Sequence, residues 1–176
     1  MGRTKGDVVV EGATLAERAA RALWPLCGSV LISVSPAARN PAPGFPTIED
    51  EPPPGRGPLA GIAAGFRATG GADLLVLACD YPNVALDLLA ALVAAAEDHD
   101  VAIPTDPGGR DHPLVGLWRR SAEGPVRRVL EAMANYPDRE ELKREYPELE
   151  DEDIRQALEY AATRLEDKMV ALPQSR

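Results

Sequence analysis

Leu74-Leu75-Val76-Leu77-Ala78 is an apolar run with no alternation, and Cys79-Asp80-Tyr81-Pro82 closes it. A strand with one wet face alternates apolar and polar residues, so this run predicts a strand covered on both sides. Such strands belong to sheets flanked by helices, and the neighbouring sequence supplies them. Pro58-Leu-Ala-Gly-Ile-Ala-Ala-Gly-Phe66 puts proline at a first helical position and small residues on one face. Leu86 to Ala96 predicts a second helix and Pro125 to Met133 a third. Val30-Leu31-Ile32-Ser33-Val34, bounded by Gly28 and Pro36, predicts another buried strand, and Val101 to Ile103 and Leu114 to Trp118 two more extended pieces. After the apolar Val8-Val9-Val10, Thr14-Leu15-Ala16-Glu17 has the spacing of a capping box that opens a helix to Leu26. The alternation predicts an α/β fold, a mainly parallel sheet with helices on both faces. With 45% apolar residues, mostly Ala, Leu and Val, and only 5% aromatic, small side chains are expected at the helix–sheet contacts.

Two segments break this rhythm. Pro36 to Gly57 holds seven prolines and predicts a long loop with a brief extended piece at Thr47-Ile48. After Met133 the composition turns acidic: residues 138–176 carry 12 Asp and Glu against 7 Lys and Arg, a net of −5. We therefore divide the chain into a domain over 1–133 and a short C-terminal helical tail over 134–176. In the tail Ile154, Leu158, Ala161 and Leu165 recur at helical spacing and predict a helix from Asp153 to about Glu166 with one buried stripe. That stripe needs a partner surface, either the main domain or a second copy, which would make a homo-oligomer through the C-terminal helices.

The formal charge of −9 argues against a nucleic-acid partner, because phosphate backbones are held by clustered Lys and Arg. Cys27 and Cys79 form no CxxC pair, so neither a disulfide framework nor a zinc site is indicated. No apolar stretch approaches the roughly 18 residues of a membrane span, and no signal-peptide hydrophobic region follows Met1-Gly2-Arg3-Thr4-Lys5. A cytoplasmic protein without a membrane partner is expected.

Asp80 is the residue with the most chemistry in its position. In open α/β sheets ligands sit beyond the carboxyl ends of strands, and a carboxylate held there can bind magnesium. Spacing alone leaves equally open that Asp80 caps the following turn. Glu49-Asp50 ends the Thr47-Ile48 piece, where an acidic pair is ordinarily a solvated loop end. Gly55-Arg56-Gly57-Pro58-Leu59-Ala60-Gly61 places a glycine-rich turn at a helix N-terminus, which suits an anion or close helix–sheet packing. His112, in Asp111-His112-Pro113, is either a turn residue or a substrate contact. Cys79 is expected to be a small buried strand residue.

In order, these pieces resemble the molybdenum cofactor guanylyltransferase family. Its members begin with a strand and Leu-x-Gly-Gly-x-Ser-x-Arg-Met-Gly-x-x-Lys, and Met1-Gly2-Arg3-Thr4-Lys5 is similar to the end of that motif. Ile48-Glu49-Asp50, Gly57-Pro58-Leu59-Ala60-Gly61, Cys79-Asp80-Tyr81-Pro82 and His112-Pro113-Leu114 resemble four further family segments. The resemblance implies a Rossmann-like fold whose first strand and phosphate loop precede Met1 and are missing. It also implies transfer of GMP from GTP to molybdopterin with Mg2+. Lys5 would contact phosphates, Asp80 would hold the metal, and both would be catalytic. Asp50 would lie by the guanine nucleotide, Ser33 would fall where the family has a small polar base-binding residue, and His112 would border the molybdopterin entry. The tail departs from the family; Glu145 to Ala162 is similar to part of an antitoxin-like helix-turn-helix family. The alternative reading is a catalytically impaired fragment that acts as a nucleotide-binding or antitoxin-like regulatory protein.

Overall fold

The computed structural model describes residues 5–50, 57–136, 141, 144 and 145. The tail helix expected from Asp153, and Arg56 of the glycine-rich turn, lie outside these residues. A short 3-10 turn, Lys5–Asp7, leads into a hairpin of β1 (Val9–Val10) and β2 (Ala13–Thr14). Its two turn residues, Glu11 (φ 51°) and Gly12 (φ 82°), are both left-handed, as tight hairpins with right-handed strand twist require. Arg18 Nη1 lies 2.7 Å from the Glu11 carboxylate and braces the strained non-glycine residue.

Helix α1 (Leu15–Leu23) starts on the expected capping box: Thr14 Oγ1 accepts from the Glu17 amide at 3.0 Å, and the Glu17 carboxylate accepts from the Thr14 amide at 3.0 Å. Strands β3 (Ile32–Val34) and β4 (Thr47–Glu49) pair in parallel. Helix α2 (Pro58–Thr69) follows with proline in its first turn and ends on left-handed Gly70. Strand β5 (Leu74–Leu77), helix α3 (Leu86–Ala95), β6 (Val101–Ala102), β7 (Val115–Trp118) and helix α4 (Glu123–Asn135) complete the order. Each predicted element from Thr14 to Met133 is present, with ends shifted by at most three residues; α1 stops at Leu23 rather than Leu26.

Strand direction is where the sequence reading needs refinement. Parallel pairing holds for β3 and β4, but β7 lies between β5 and β6 and runs antiparallel to both. The reason lies in the connection: residues 103–114 carry no helix, and a Thr105–Asp111 bridge folds them back. A parallel crossover needs a longer connection, usually a helix, whereas a folded-back loop delivers the next strand antiparallel.

Helices cover both faces, as expected. Ile62, Phe66, Val126 and Leu130 of α2 and α4 build one core with Leu74 and Val76 against it. Ala20, Leu23, Leu89 and Leu92 of α1 and α3 build the other, with Leu75 and Leu77 against it. Alternate residues of β5 thus feed opposite cores, which is why the run shows no polar alternation. All four remain half-buried, because β5 is hydrogen-bonded to a described strand only on its β7 side. The fully buried Phe66 fixes α2 in the first core. Phe66→Ala is expected to cost about 3–5 kcal/mol, a large share of a domain's usual 5–15 kcal/mol or so, as read by urea unfolding.

Candidate functional site

Strand β5 stops at Leu77, but the Ala78 amide still donates to Leu114 O at 2.8 Å and the Tyr81 amide to Ala78 O at 3.2 Å. The chain turns between these bonds, leaving Cys79 half-buried in the turn rather than in the strand, and Asp80 exposed. Lys5 Nζ lies 3.9 Å from Asp80 Oδ2. Both side chains are open to water, so this ion pair contributes little stability, at most about 1 kcal/mol. It leaves the carboxylate available to a stronger cation. Asp80 opens on a cavity of about 550 Å³ that Tyr81, Val84, Leu88, His112 and Val115 also line.

Among the described residues no three His, Cys, Asp or Glu side chains cluster as a metal cage. A single accessible carboxylate still fits magnesium, which keeps waters and takes its other ligands from substrate phosphates. A structural zinc site would need four ligands.

Across the cavity a second device is built from the 105–111 turn. Asp106 Oδ1 accepts the amides of Gly108 (2.8 Å) and Arg110 (3.0 Å), so one carboxylate oxygen is fixed by the backbone. Its other oxygen lies 3.3 Å from His112 Nε2, while His112 Nδ1 lies 3.0 Å from the Tyr81 hydroxyl. The Arg110 amide above all, then the Gly108 amide and His112, against a desolvation cost, hold the Asp106 carboxyl below the ordinary carboxylate range. Burial first, then the Asp80 charge, push the Tyr81 phenol up, with Arg110 opposing.

Ser33 and Asp50 form a separate pair. The hydroxyl of Ser33, in the middle of β3, donates to Oδ1 of Asp50, the residue after β4, and the Asp50 amide donates to Val34 O at 2.9 Å. Gly61 of α2 sits directly on them: a β-carbon there would meet Ser33 Oγ at 2.6 Å and Asp50 Oδ1 at 3.1 Å. Gly61 therefore serves close helix–sheet packing, and that packing holds the Ser33–Asp50 pair. Of the expected site residues, Lys5, Asp80 and His112 thus gather around one strand end, Lys5 through Asp80 and His112 through the shared cavity. Ser33 and Asp50 meet each other and do not line that cavity among its described residues. Asp106 and Tyr81 went unread as site residues. The signal for Asp106 was the turn sequence Asp106-Pro-Gly-Gly109 ahead of His112, which predicts an aspartate capping its own turn.

Two outcomes follow from this geometry. The added methyl of Gly61→Ala must displace Ser33 or Asp50 and is expected to destabilise by about 1–3 kcal/mol; an unchanged melting temperature would show the contact to be soft. For Asp106 the folded carboxyl is depressed, so its turn bonds stabilise above the ordinary value near pH 4 and are lost as pH falls through the lower folded value. Amide exchange at Gly108 and Arg110, corrected for intrinsic rates, should therefore lose protection below about pH 4 and hold it above.

Residues 1–149 match the MobA-like NTP transferase domain family. The chain is 36% identical over 145 residues to the molybdenum cofactor guanylyltransferase of Acidiphilium cryptum, covering 77% of this chain and 68% of that protein. It is 34% identical over 130 residues to that of a Bradyrhizobium species, covering 69% and 61%. Against the curated relatives it matches, the chain spans about 59% to 68% of their length. Its fold is similar to that of molybdopterin-guanine dinucleotide biosynthesis protein A from Archaeoglobus fulgidus, at a TM-score of 0.55 and 21% identity over 90% of this chain and 91% of that one. The chain belongs to the MobA-like NTP transferase domain family.

Proposed function

We propose that this chain transfers GMP from GTP to the terminal phosphate of molybdopterin, releases pyrophosphate, and works in the cytoplasm. The observation that carries this reading is Asp80 at the end of β5, 3.9 Å from Lys5 and open to the cavity it shares with His112. The names of the relatives supply the substrates; the strand-end carboxylate, the neighbouring cation and the roomy crevice supply a place for the chemistry. An acceptor phosphate oxygen forms a bond to the α-phosphorus of GTP, and the bond from that phosphorus to the bridging oxygen breaks, so pyrophosphate leaves with its electrons.

Each residue has a role suited to its surroundings. Asp80 would hold Mg2+, which when bound offsets the triphosphate charge. Lys5, exposed on its short turn, swings from Asp80 to phosphate oxygens. Ser33 and Asp50 present a hydroxyl and a carboxylate to the guanine nucleotide, and His112 borders the molybdopterin side. A phosphate nucleophile needs little activation, so the protein's contribution is positioning and charge neutralisation.

Calorimetric titration of GTP with magnesium tests the assignment. Asp80→Asn removes the charge and is expected to weaken binding at least tenfold, about 1.4 kcal/mol, with the magnesium dependence lost. Equal heats for wild type and variant would remove the metal from Asp80. Lys5→Ala is expected to weaken GTP binding with the magnesium dependence intact.

A further inference from the structure

The Asp106–His112–Tyr81 chain determines which hydrogen-bonding partner the cavity offers. Asp106 is an ionised carboxylate and can only accept, so His112 Nε2, at 3.3 Å, carries the hydrogen of that bond. In a neutral imidazole the other nitrogen is then bare and can also only accept. Tyr81, at 3.0 Å, must therefore donate its hydroxyl proton to Nδ1. That leaves the Tyr81 oxygen with lone pairs alone. With Asp80 given to the metal, Tyr81 beside Asp106 then presents the acceptor edge of this part of the cavity, next to apolar Val84, Leu88 and Val115 and the polar Asn83 and Thr105.

We propose that Asp106 is a positioning residue which, through His112, makes Tyr81 a hydrogen-bond acceptor toward the cavity, so that the ligand edge seated there is an N–H donor of a flat heterocycle rather than a phosphate. Asp106 suits this task because its turn fixes it: the Gly108 and Arg110 amides hold Oδ1 and leave Oδ2 for His112. A phosphate at Tyr81 would bring oxygens to oxygens. An amino group would find acceptors, and its ring would lie against the apolar wall. The choice of heterocycle, a pterin, rests on the proposed reaction; the hydrogen-bond polarity rests on the three side chains alone.

Asp106→Asn is an informative substitution because its oxygen can keep the Gly108 and Arg110 amides while its NH2 replaces the acceptor facing Nε2. The His112 proton should then move to Nδ1, and the Tyr81 hydroxyl should turn from acceptor to donor toward the cavity. Nitrogen-15 spectra at pH 7.5 read this directly. The chain has only two histidines, and His112→Gln assigns them. Wild type should show protonated Nε2 and bare Nδ1 for His112, with the pattern reversed in Asp106→Asn.

Titration with pterin and with 4-oxopteridine, which lacks the 2-amino donor, supplies the second reading. Wild type should bind pterin about fivefold more tightly, the size of one mismatched polar contact in a half-open site. The ratio should fall to about one in Asp106→Asn and in Tyr81→Phe. An unreversed tautomer, the same pterin preference in all three proteins, or no response of His112 and Tyr81 to either compound would overturn the proposal. The Asp80→Asn result is read with GTP and no heterocycle, so it stands or falls separately.

Discussion

The antiparallel pairing of β5 with β7 is the constraint on which the rest of the site depends. Its register sets Leu77 opposite Val115, and the Ala78 amide bond to Leu114 O extends it by one step. The carboxyl end of β5, which carries Asp80 and Tyr81, is thereby placed against the entrance of β7, which carries His112. A parallel β7 would put its entrance at the opposite end of the sheet, and no cavity could share these residues. Tyr81 and His112 are thus joined by a backbone ladder before their side chains meet.

That ladder shows how much of the molecule was legible in the sequence. Apolar runs, a capping box and a first-turn proline located nearly every element, because local periodicity and cap chemistry are local properties of the chain. Thr14 and Glu17 are three residues apart and close their own capping box. Direction and neighbourhood are not local. The reversal of β7 was indicated only by the lack of a helix between Ile103 and Leu114, a weaker signal than any run of residues. His112 was legible as a candidate but its partners were not, since Tyr81 lies 31 residues away from it and reaches it only through the sheet. Asp106, six residues off, could have been found from the turn it caps.

Charge explains the division of labour around the strand ends. The chain carries −9 overall, and Asp80, Asp50 and Asp106 all face polar sites. An anionic substrate would be repelled there unless cations intervene. Lys5 is one such cation, but at 3.9 Å with most of its surface in water it is a weak and mobile one. In the proposed reaction a divalent ion brought with the nucleotide would supply the larger share, which would let an acidic site take an anionic substrate.

The two polar sites differ in stiffness, and the difference follows from what packs behind them. Ser33 and Asp50 are pressed by Gly61, whose missing side chain lets α2 lie on them; any motion there must move a helix that also anchors Phe66 in the core. Asp80 stands on a turn with an open cavity beside it, and among the described residues one strand is hydrogen-bonded next to β5. In the proposed reaction the Ser33–Asp50 pair would suit recognition of a fixed shape, and Asp80 on its open turn would hold Mg2+, which would offset phosphate charge there. Tyr81, on that open turn, is tied through His112 to the backbone-fixed Asp106. The chain Asp106–His112–Tyr81 thus links the more rigid loop to the looser strand end, and the hydrogen-bond polarity it confers on the cavity follows from the same tether.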